Sequence, residues 1–488
     1  MASDKIKGLA VILILTVSFS SLVLSGTRVA FAQQSEDSVG NFAVNILSPT
    51  PLWSFNSFEN YQTNVNILTV NKGLVYVEVF DDSSASSIYC LNAVTGNAVW
   101  SSTAGAYNYV DHYVVSNDYV FAGEVVGEDG VLTCLNATNG YQIWSYVNGT
   151  GFGIPIVVGG VVYGDTSNGS SSSLLYAFNA STSAILWERS CPPTQTLASS
   201  LIASDGRVFA TGDGLIYAFN AYTGENLWNN TTPTQVNLFT TDGSRVYVGS
   251  NNVGILAFNA SNGSIEYNYP INSSIESMIV ANKDVYAECD NGYVYAINSL
   301  DGKLAWRYST NSSINSALAI DGYLYVCTAS SLNCLDAYNG ALVWNFEESS
   351  LASPTYSDGI IYAGEGGYGF FASQIQHSIY ALDATTGKIL WSYSFSNIQL
   401  TSAVYEGTVY VAADYVTRLS SDNIGSGAVY ALKPLIASLP LLPVTLWEST
   451  VLATRIAAVI AVMAIATVVF VPRKKLRRGD RNGSSEEV

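Results

Sequence analysis

The sequence predicts an all-β protein built from eight or nine four-stranded units of about 40 residues each. Two observations predict this class. A short pattern, of which "IYALDATTGKILW" is one copy, occurs eight times, and the spacings between its closing aromatic residues are 44, 43, 41, 39, 39, 38 and 47 residues. Each copy also follows β-branched and aromatic runs that alternate with polar residues, and these runs show no helical period.

Each unit carries signals for four antiparallel strands. In the last unit "LTSAVY" precedes the Glu406-Gly407 turn and "TVYVAAD" follows it. "IYALDA" and "KILWSY" give the other two strand types, joined by a turn in which Asp383 can accept backbone N–H groups and Gly387 can adopt a positive φ. Four such strands per repeat are typical of a β-propeller blade, with a stacked solenoid as the alternative.

The pattern Ala381-x-Asp383-x-x-x-Gly387-x-x-x-Trp391 resembles the tryptophan-docking motif of the pyrroloquinoline-quinone (PQQ) repeat propellers. That family includes quinoprotein alcohol dehydrogenases and the propeller lipoprotein of the bacterial outer-membrane assembly machine. The likeness extends from about residue 50 to residue 433. It implies a structural role between neighbouring blades for Trp100, Trp144, Trp187, Trp228, Trp306, Trp344 and Trp391, with Asp336, Asp383 and Gly387 in the turns. Tyr267 and Ser183 depart from the motif, because they replace a Trp and a turn Gly.

The ends of the repeat region bear on the number of blades. "PLWSF" around Trp53 has the form of a lone last strand, and the final copy, which ends in "AVYALKP", lacks its last strand. Joining the two would close the ring and remove a sheet edge. The eight complete copies and this split copy together make nine units, whereas the family usually closes at eight, and the sequence leaves both numbers open.

The chain ends predict export and anchoring. Lys5 and Lys7 precede an apolar run that ends near a small-x-small cleavage site at Ala30 and Ala32, which is typical of a secretory signal, with an uncleaved anchor as the alternative. The span 451–471 is long enough to cross a bilayer, and five basic residues follow it directly. We therefore predict the following segments: signal peptide 1–32, N-terminal segment 33–50, propeller 51–433, Pro-containing stalk 434–450, transmembrane helix 451–471 and basic cytoplasmic tail 472–488.

Charge excludes one class of partner. Residues 33–450 contain 34 Asp and Glu and 10 Lys and Arg, which gives a net charge of −24. Such a surface repels nucleic acid and anionic lipid headgroups. The high content of Tyr and of other apolar residues favours an ordered, well-buried ectodomain on the extracytoplasmic side of the cell membrane.

Catalytic signatures are weak. The dehydrogenases of the resembled family carry adjacent cysteines over the quinone and acidic calcium ligands, and none of the six cysteines here is adjacent to another. Cys90, Cys134 and Cys334 stand where other copies have Ala, as small core residues do. Cys327 and Cys334 flank one predicted hairpin, and a disulfide between them is a second hypothesis. We predict no cofactor, with PQQ and calcium kept as the alternative.

Other candidate sites have ordinary structural explanations. His112 and His377 have no ligand at zinc spacing. The glycines of "GEGGYG" match a dinucleotide-binding pattern but lie between two predicted strands, so a plain loop is expected. "GEDG" (Glu128, Asp129) and "CDNG" (Asp290, Asn291) are predicted as turns rather than calcium loops. No nucleophile elbow and no Ser/His/Asp order is visible in the sequence.

Ten N-x-S/T sequons lie in the predicted ectodomain, at Asn136, Asn148, Asn168, Asn179, Asn229, Asn230, Asn259, Asn262, Asn272 and Asn311. Asn136, Asn179 and Asn259 occupy the turn position of Asp383, where we expect the side chain to be engaged in the turn and crowded by the Trp of the next blade. We therefore predict glycosylation in the inter-strand loops, at Asn148, Asn168, Asn272 and Asn311.

Two function classes remain. The first is a non-catalytic, membrane-anchored surface propeller that binds a protein or glycan partner. Its candidate contact segments are the long insertions 166–173, 364–376 and 414–427. The second is a PQQ-dependent dehydrogenase with a divergent site. Processing of the C-terminus by a sortase-like enzyme, suggested by "LPLLPVT", is a third hypothesis.

Overall fold

The structure is a computed structural model. It describes residues 47–56, 63–81, 86–103, 108–126, 129–148, 151–167, 173–191, 201–212, 214–232, 236, 238–250, 253–349, 351–365, 377–395, 399–414 and 427–435.

In this part of the chain, nine antiparallel four-stranded sheets form the nine blades of a β-propeller. Blades 1 to 3 are built from β2 (Thr63–Asn71), β3 (Leu74–Asp81), β4 (Ser86–Asn92), β5 (Ala98–Thr103); β6 (Asn108–Ser116), β7 (Tyr119–Val126), β8 (Asp129–Asn136), β9 (Gln142–Val147); and β10 (Ile156–Val158), β11 (Val161–Ser167), β12 (Ser173–Asn179), β13 (Ile185–Cys191). Blades 4 to 6 are built from β14 (Leu201–Ser204), β15 (Arg207–Gly212), β16 (Leu215–Asn220), β17 (Asn226–Thr231); β18 (Leu238–Thr241), β19 (Arg245–Ser250), β20 (Gly254–Asn259), β21 (Ile265–Tyr269); and β22 (Ile275–Ala281), β23 (Asp284–Cys289), β24 (Tyr293–Asn298), β25 (Leu304–Ser309). Blades 7 to 9 are built from β26 (Ile314–Ile320), β27 (Tyr323–Thr328), β28 (Ser331–Asp336), β29 (Leu342–Glu347); β30 (Thr355–Ser357), β31 (Ile360–Gly364), β32 (His377–Asp383), β33 (Ile389–Phe395); and β34 (Gln399–Tyr405), β35 (Thr408–Asp414), β36 (Ala428–Leu435) with β1 (Leu47–Phe55).

Blade 9 is the split unit that the sequence predicted. Its first three strands come from the C-terminal end of the repeat region, and β1 supplies the fourth by pairing antiparallel with β36. Trp53 pairs with Ala431, the register that Trp391 and Ala381 have in blade 8. The closure is confirmed, and the number of blades is nine rather than the eight that the family usually has.

The core consists of the interfaces between blades. On β3 the side chains alternate, so Val75, Val77 and Val79 pack toward blade 9 while Tyr76 packs toward blade 2. Similar buried clusters join each described blade to the next, around the whole ring. Because both faces of every sheet are covered, the strands need apolar residues on both sides, which explains their β-branched and aromatic composition.

The predicted docking tryptophans connect each blade to the following one. The indole nitrogen of Trp100 donates a 2.8 Å hydrogen bond to the carbonyl oxygen of Ala137 in the next blade, and a Cβ added to Gly140 would lie 2.6 Å from the same ring. The same hydrogen bond, at 2.9–3.0 Å, joins Trp53 to Ala93, Trp144 to Ala180, Trp187 to Ala221, Trp228 to Ala260, Trp306 to Ala337 and Trp344 to Ala384. Each turn therefore receives the Trp of the preceding blade, so the expectation that it meets the Trp of the next blade is wrong.

The turn itself is formed as predicted. Asp383 accepts hydrogen bonds from the backbone nitrogens of Thr385 and Thr386, at 3.1 and 2.8 Å, and Gly387 has a φ of 68°. Partial burial acts to raise the pKa of Asp383, but the hydrogen bonds of the turn outweigh it and hold this pKa below its ordinary value. Asp336 makes the equivalent bonds to Tyr338 and Asn339.

The two departures from the motif are both accommodated. Tyr267 reaches the equivalent carbonyl through its hydroxyl, which donates a 3.1 Å hydrogen bond to Ser299. Ser183 adopts the left-handed conformation of the glycine that it replaces, with a φ of 60°. Trp391 is the exception among the docking residues. It is buried in the interface with blade 9, but its indole nitrogen has no hydrogen-bond partner in the described part of the chain, because blade 9 has β1 in place of the turn.

The described residues contain no helix that could span a membrane. The predicted signal peptide, stalk, transmembrane helix (451–471) and cytoplasmic tail all lie outside them, apart from the first two stalk positions, which belong to β36.

Candidate functional site: the loop face of the propeller

The two ends of the blades differ in their connections. At one end, here called the turn face, the connections between first and second strands and between third and fourth strands are short and nearly constant in length. At the other end, here called the loop face, second and third strands are joined by connections that range from the tight turn 329–330 in blade 7 to the long segment 415–427 in blade 9. Connections from a fourth strand to the next blade also lie at the loop face. The connections whose length varies between blades are therefore concentrated at the loop face.

All three predicted contact segments belong to the loop face. Segment 166–173 joins β11 to β12 in blade 3, 364–376 joins β31 to β32 in blade 8, and 414–427 joins β35 to β36 in blade 9. The last two segments therefore lie in adjacent blades. Residues 168–172, 366–376 and 415–426 of these segments lie outside the described residues.

Carboxyl groups are placed inside the blades near this face. In five blades a Glu or Asp lies on the second strand or directly after it. It comes two or three positions after the aromatic residue of that strand that packs in the blade interface. These residues are Glu78, Glu124, Asp165, Glu288 and Glu365. Four of them are 1–7% exposed, and Glu124 is half-buried. Buried carboxyls are rare unless they are hydrogen-bonded or protonated, so these positions are the most unusual chemical feature of the described ring.

The boundary between blades 1 and 2 holds two of these groups. Burial raises the pKa of Glu78 to about 8, partly offset by a hydrogen bond with the backbone of Tyr113. Burial also raises the pKa of Glu124, against a hydrogen bond with Thr133. The pKa of the Tyr113 hydroxyl is raised by burial, and both carboxyls lie close enough to raise it further. At neutral pH the raised pKa of Glu78 therefore favours its neutral acid form.

Glu288 occupies the equivalent place between blades 6 and 7. It is 2% exposed, and burial raises its pKa to about 7 against a hydrogen bond with Ser277. Its Oε1 has no hydrogen-bond partner among the described residues. Cys327, opposite Ser316 in the ladder, has its pKa raised to about 12 by burial and is not a reactive thiolate.

A third set of polar groups lies between blades 7 and 8. The Tyr380 hydroxyl is 2.9 Å from Oε2 of Glu348 and 3.0 Å from Oε1 of Glu365. Oε2 of Glu365 accepts a 3.0 Å hydrogen bond from the backbone nitrogen of Ser378 and lies 3.5 Å from Nδ1 of His377. Burial raises the pKa of Glu365 and lowers that of His377, and each shift is in the direction of the neutral form. Both ring nitrogens of His377 are buried and have no hydrogen-bond partner among the residues that the structure describes.

The structure separates the residues that the sequence considered for metals. His112 is on β6 in blade 2, and His377 is on β32 in blade 8. Asp290 lies in a turn, where it accepts a hydrogen bond from Ser273, and Asp129 is exposed at the start of β8. Within the described ranges, no three His, Cys, Asp or Glu residues are grouped so that they could hold a metal ion.

The hypothesis of a disulfide between Cys327 and Cys334 is wrong: both are buried free thiols. In the ladder Cys327 pairs with Leu332, and Cys334 pairs with Tyr325, so the two cysteines are diagonal neighbours. Diagonal Cβ atoms are about 7–8 Å apart, roughly twice the Cβ separation in a disulfide. Cys90 and Cys134 are fully buried in interface clusters, which agrees with their interpretation as core residues.

The sequons occupy different environments. Asn136, Asn179 and Asn259 accept turn N–H groups through Oδ1, and Nδ2 of Asn259 also donates to Glu266 at 2.8 Å. Asn148 is half-buried, and its Nδ2 donates to the Tyr176 hydroxyl. Asn272 and Asn311 are exposed, and Asn168 lies outside the described residues.

The sequence profile of one protein family matches the chain over residues 84–237, 212–331 and 328–433. Its description is outer membrane protein assembly factor BamB. The chain belongs to this family of PQQ-repeat propellers. Together the matches cover residues 84–433 of the 488, which are blades 2 to 8, the later part of blade 1 and most of the C-terminal part of blade 9, without β1. A comparison with curated proteins gave no match.

Several solved structures match parts of this chain at low sequence identity. BamB from Moraxella catarrhalis is 17% identical, with a TM-score of 0.46, over 65% of this chain and 97% of that one. A europium-containing methanol dehydrogenase is 14% identical, with a TM-score of 0.47, over 82% of this chain and 95% of that one. The computationally designed Ika8 protein is 15% identical, with a TM-score of 0.49, over 66% of this chain and 95% of that one. Likenesses at this level carry no information on activity.

The buried carboxyls were missed by sequence reasoning, although the sequence contains a signal for them. In "VYVEVF", "VFAGEV", "VYGDTS", "VYAECD" and "IYAGEG" an acidic residue interrupts a strand that is otherwise apolar on both faces. A charge in such a run is either at an exposed edge or buried with a perturbed pKa. Burial of these acidic residues can be concluded only once it is known that the second strand is an inner strand of every blade.

Proposed function

We propose that this protein is a non-catalytic, membrane-anchored propeller on the outer side of the cell membrane, where it binds a protein or glycan partner through its loop face. The contrast between the two faces carries this proposal. The turn face is built from connections of nearly constant length, whereas on the loop face the connections between second and third strands differ widely from blade to blade. Binding residues concentrate on loops that a rigid scaffold positions, and here such loops occur at one end.

The path of the chain supports the same assignment. Leu47, at the start of β1, pairs with Leu435, at the end of β36, so the chain enters and leaves the ring at the turn face. Under the proposed topology, the stalk and helix after residue 435 hold the turn face toward the membrane. The loop face is then directed away from the membrane, where a partner has access to it.

A protein partner is the stronger of the two alternatives. The net charge of −24 over residues 33–450 favours a partner with basic groups and disfavours nucleic acid. The description of the family names an assembly factor, which is a protein-binding role. Both observations concern surface recognition, so they favour a scaffold over an enzyme.

Site-specific photo-crosslinking in intact cells tests the proposal. A photoreactive residue is introduced at Asp129 or Ser349, which are exposed at the loop face, and at Tyr222 or Tyr338, which are exposed at the turn face. We expect a discrete crosslinked partner from the first pair and none from the second. A partner captured only from Tyr222 or Tyr338 would overturn the assignment of the face.

The alternative is a PQQ-dependent dehydrogenase with a divergent site, as the resemblance to quinoproteins implies. Its test is addition of the quinone and calcium to the purified full-length protein, followed by dye reduction with alcohols and sugars. Turnover would replace the binding proposal, whereas the absence of both a bound chromophore and dye reduction would remove the enzyme hypothesis.

A further inference from the structure

The Tyr380 hydroxyl makes two contacts, one with Glu348 and one with Glu365. If both acids are ionised, only one hydrogen, that of the phenol, is present for the two contacts. A phenol has one hydrogen, and it can donate to only one of the two carboxylate oxygens that lie 2.9 and 3.0 Å from its oxygen. The second contact is a hydrogen bond only if that carboxyl is protonated and donates to the phenol oxygen. Otherwise a carboxylate oxygen faces a phenol lone pair in a partly buried site, which is repulsive.

Among the described residues, no positive charge relieves the conflict. The described titratable groups that face Tyr380 are Glu348 just after β29, Glu365 just after β31, and His377 at the start of β32. Burial disfavours the imidazolium form of His377, and in the described part of the chain neither Glu348 nor Glu365 forms an ion pair with Lys or Arg. Ser378 and Ser394, whose hydroxyls are 2.9 Å apart, carry no charge.

We propose that Glu348, Tyr380 and Glu365 together bind one exchangeable proton, which joins blades 7 and 8 at the loop face. Glu365 is the principal acceptor, because it is 7% exposed whereas Glu348 is only half-buried. As the pH rises, the O–H bond of the protonated carboxyl breaks, the proton passes to water, and a carboxylate remains. One of the two hydrogen bonds to Tyr380 is then lost. The proposal does not depend on membrane anchoring or on a partner.

The network also includes hydrogen bonds near the two ends of the connection between β31 and β32. Glu365 immediately follows β31, and its backbone nitrogen donates to the carbonyl oxygen of Ser378 at 3.0 Å. Its side chain accepts from the backbone nitrogen of the same serine. Loss of the proton therefore removes a hydrogen bond to Tyr380 close to Glu365, the residue from which this long connection starts.

The direction of the pH dependence follows from linkage. A carboxyl whose pKa is raised by folding stabilises the protein fully below its unfolded pKa, about 4.3, and this contribution is lost as the pH rises through the folded pKa. In that window one proton changes the unfolding equilibrium constant by at most about tenfold per pH unit. Glu365→Gln supplies an N–H in place of the acidic O–H and should remove this share of the pH dependence.

The first measurement is denaturant unfolding of the full-length protein as a function of pH. We expect Glu365→Gln and Glu348→Gln each to flatten the profile by about one proton, because either amide donates to the phenol oxygen. Glu347→Gln, an exposed neighbour, is the matched control and should leave the profile unchanged. If the stability–pH profiles of both Gln variants run parallel to the wild-type profile, the proposal is overturned.

The second measurement does not depend on stability. The chain has only two histidines, so NMR of protein labelled at the imidazole Cε1 gives two resonances, and His112→Gln identifies that of His377. We expect the His377 resonance to report, in addition to the titration of the imidazole itself, a second step above about pH 4.3 that Tyr380→Phe moves and Glu365→Gln abolishes. A wild-type protein without such a step, or one in which Glu365→Gln leaves the step in place, contradicts proton binding at this network.

Discussion

The indole nitrogen of Trp344 and the hydroxyl of Tyr325 both donate to one carbonyl oxygen, that of Ala384 in the next blade, at 3.0 and 3.1 Å. The ring of Trp344 also covers Gly387, the glycine of the same turn. The same double donation occurs at Ala93, Ala137, Ala221 and Ala337. Each of these contacts joins two blades through one buried carbonyl.

A double-mutant cycle at Ala384 measures this shared acceptor. Trp344→Phe or Tyr325→Phe alone leaves the carbonyl with one donor, and the lost hydrogen bond should cost about 1 kcal/mol beyond the change in packing. The double variant leaves a buried carbonyl without a donor, so its cost should exceed the sum of the single costs by about 1 kcal/mol or more. Unfolding free energies check this, and strict additivity would show that the two bonds act independently.

The turn glycine can be tested against a matched glycine. Gly387→Ala and Gly359→Ala both place a Cβ at a positive φ, 68° and 78°, which costs about 1–2 kcal/mol. At Gly359 the added atom meets nothing within 4 Å, whereas at Gly387 it lies 2.6 Å from Trp344. We expect Gly387→Ala to be the more destabilising by about a further 1–3 kcal/mol from overpacking. Equal losses in chemical denaturation would mean that the Trp moves away without cost.

Buried carboxyls should make the protein less stable in alkali. The pKa values of Glu78 and Glu288 are raised by burial to about 8 and about 7, so the stability that they confer when protonated is lost as the pH rises toward those values. Glu78→Gln should reduce the fall in stability between about pH 5 and pH 9. The exposed Glu225→Gln is a control for the general effect of charge. A flat wild-type profile over this range would exclude buried, protonated acids at both positions.

Glycosylation, if the host performs it, should follow the availability of the amide nitrogen. Nδ2 of Asn259 donates to Glu266, and Nδ2 of Asn148 donates to Tyr176, whereas Asn272 and Asn311 are exposed. We therefore expect high occupancy at Asn272 and Asn311 and low occupancy at Asn148 and Asn259 in site-resolved mass spectrometry of the native protein. For Asn148 this differs from the sequence-based prediction, in which its position in an inter-strand loop favoured glycosylation. High occupancy at Asn259 would show that the turn opens or that the sugar is attached before folding.

The elements that repeat along the chain could be predicted from the sequence. The predictions that failed concern which neighbouring blade or which residue an element contacts. Docking residues such as Trp100 and Gly387 recur at fixed spacing, so their environment could be inferred from the pattern alone. The order of docking could not, because the spacing is the same whichever neighbour receives the Trp. The disulfide failed for a related reason: position relative to a hairpin does not give the register that makes Cys327 and Cys334 diagonal.

The candidate site was predictable only in outline. The long connections of the loop face were visible as insertions between strands, but the network around Tyr380 was not. Glu348, Glu365 and Tyr380 come from three places in two blades, and no spacing in the sequence indicates that they meet. His377 was considered as a zinc ligand and set aside, yet its neighbour in space is the carboxyl of Glu365, at the other end of the long connection between β31 and β32.

The pairing of β1 with β36 sets the order of events in folding. Among the described strands of the ring, β1 emerges from the ribosome first, yet its one sheet partner is β36, the last to be synthesised. Blades 1 to 8 are each made from consecutive strands and can form as they emerge, whereas closure must wait for the end of the chain and carries the loop-closure entropy of the whole ring. Until then β1 lacks its sheet partner and β36, although paired with β35, presents an open edge, and both invite pairing with other chains. A chaperone that occupies either edge until synthesis is complete would therefore act on the slowest and most aggregation-prone step.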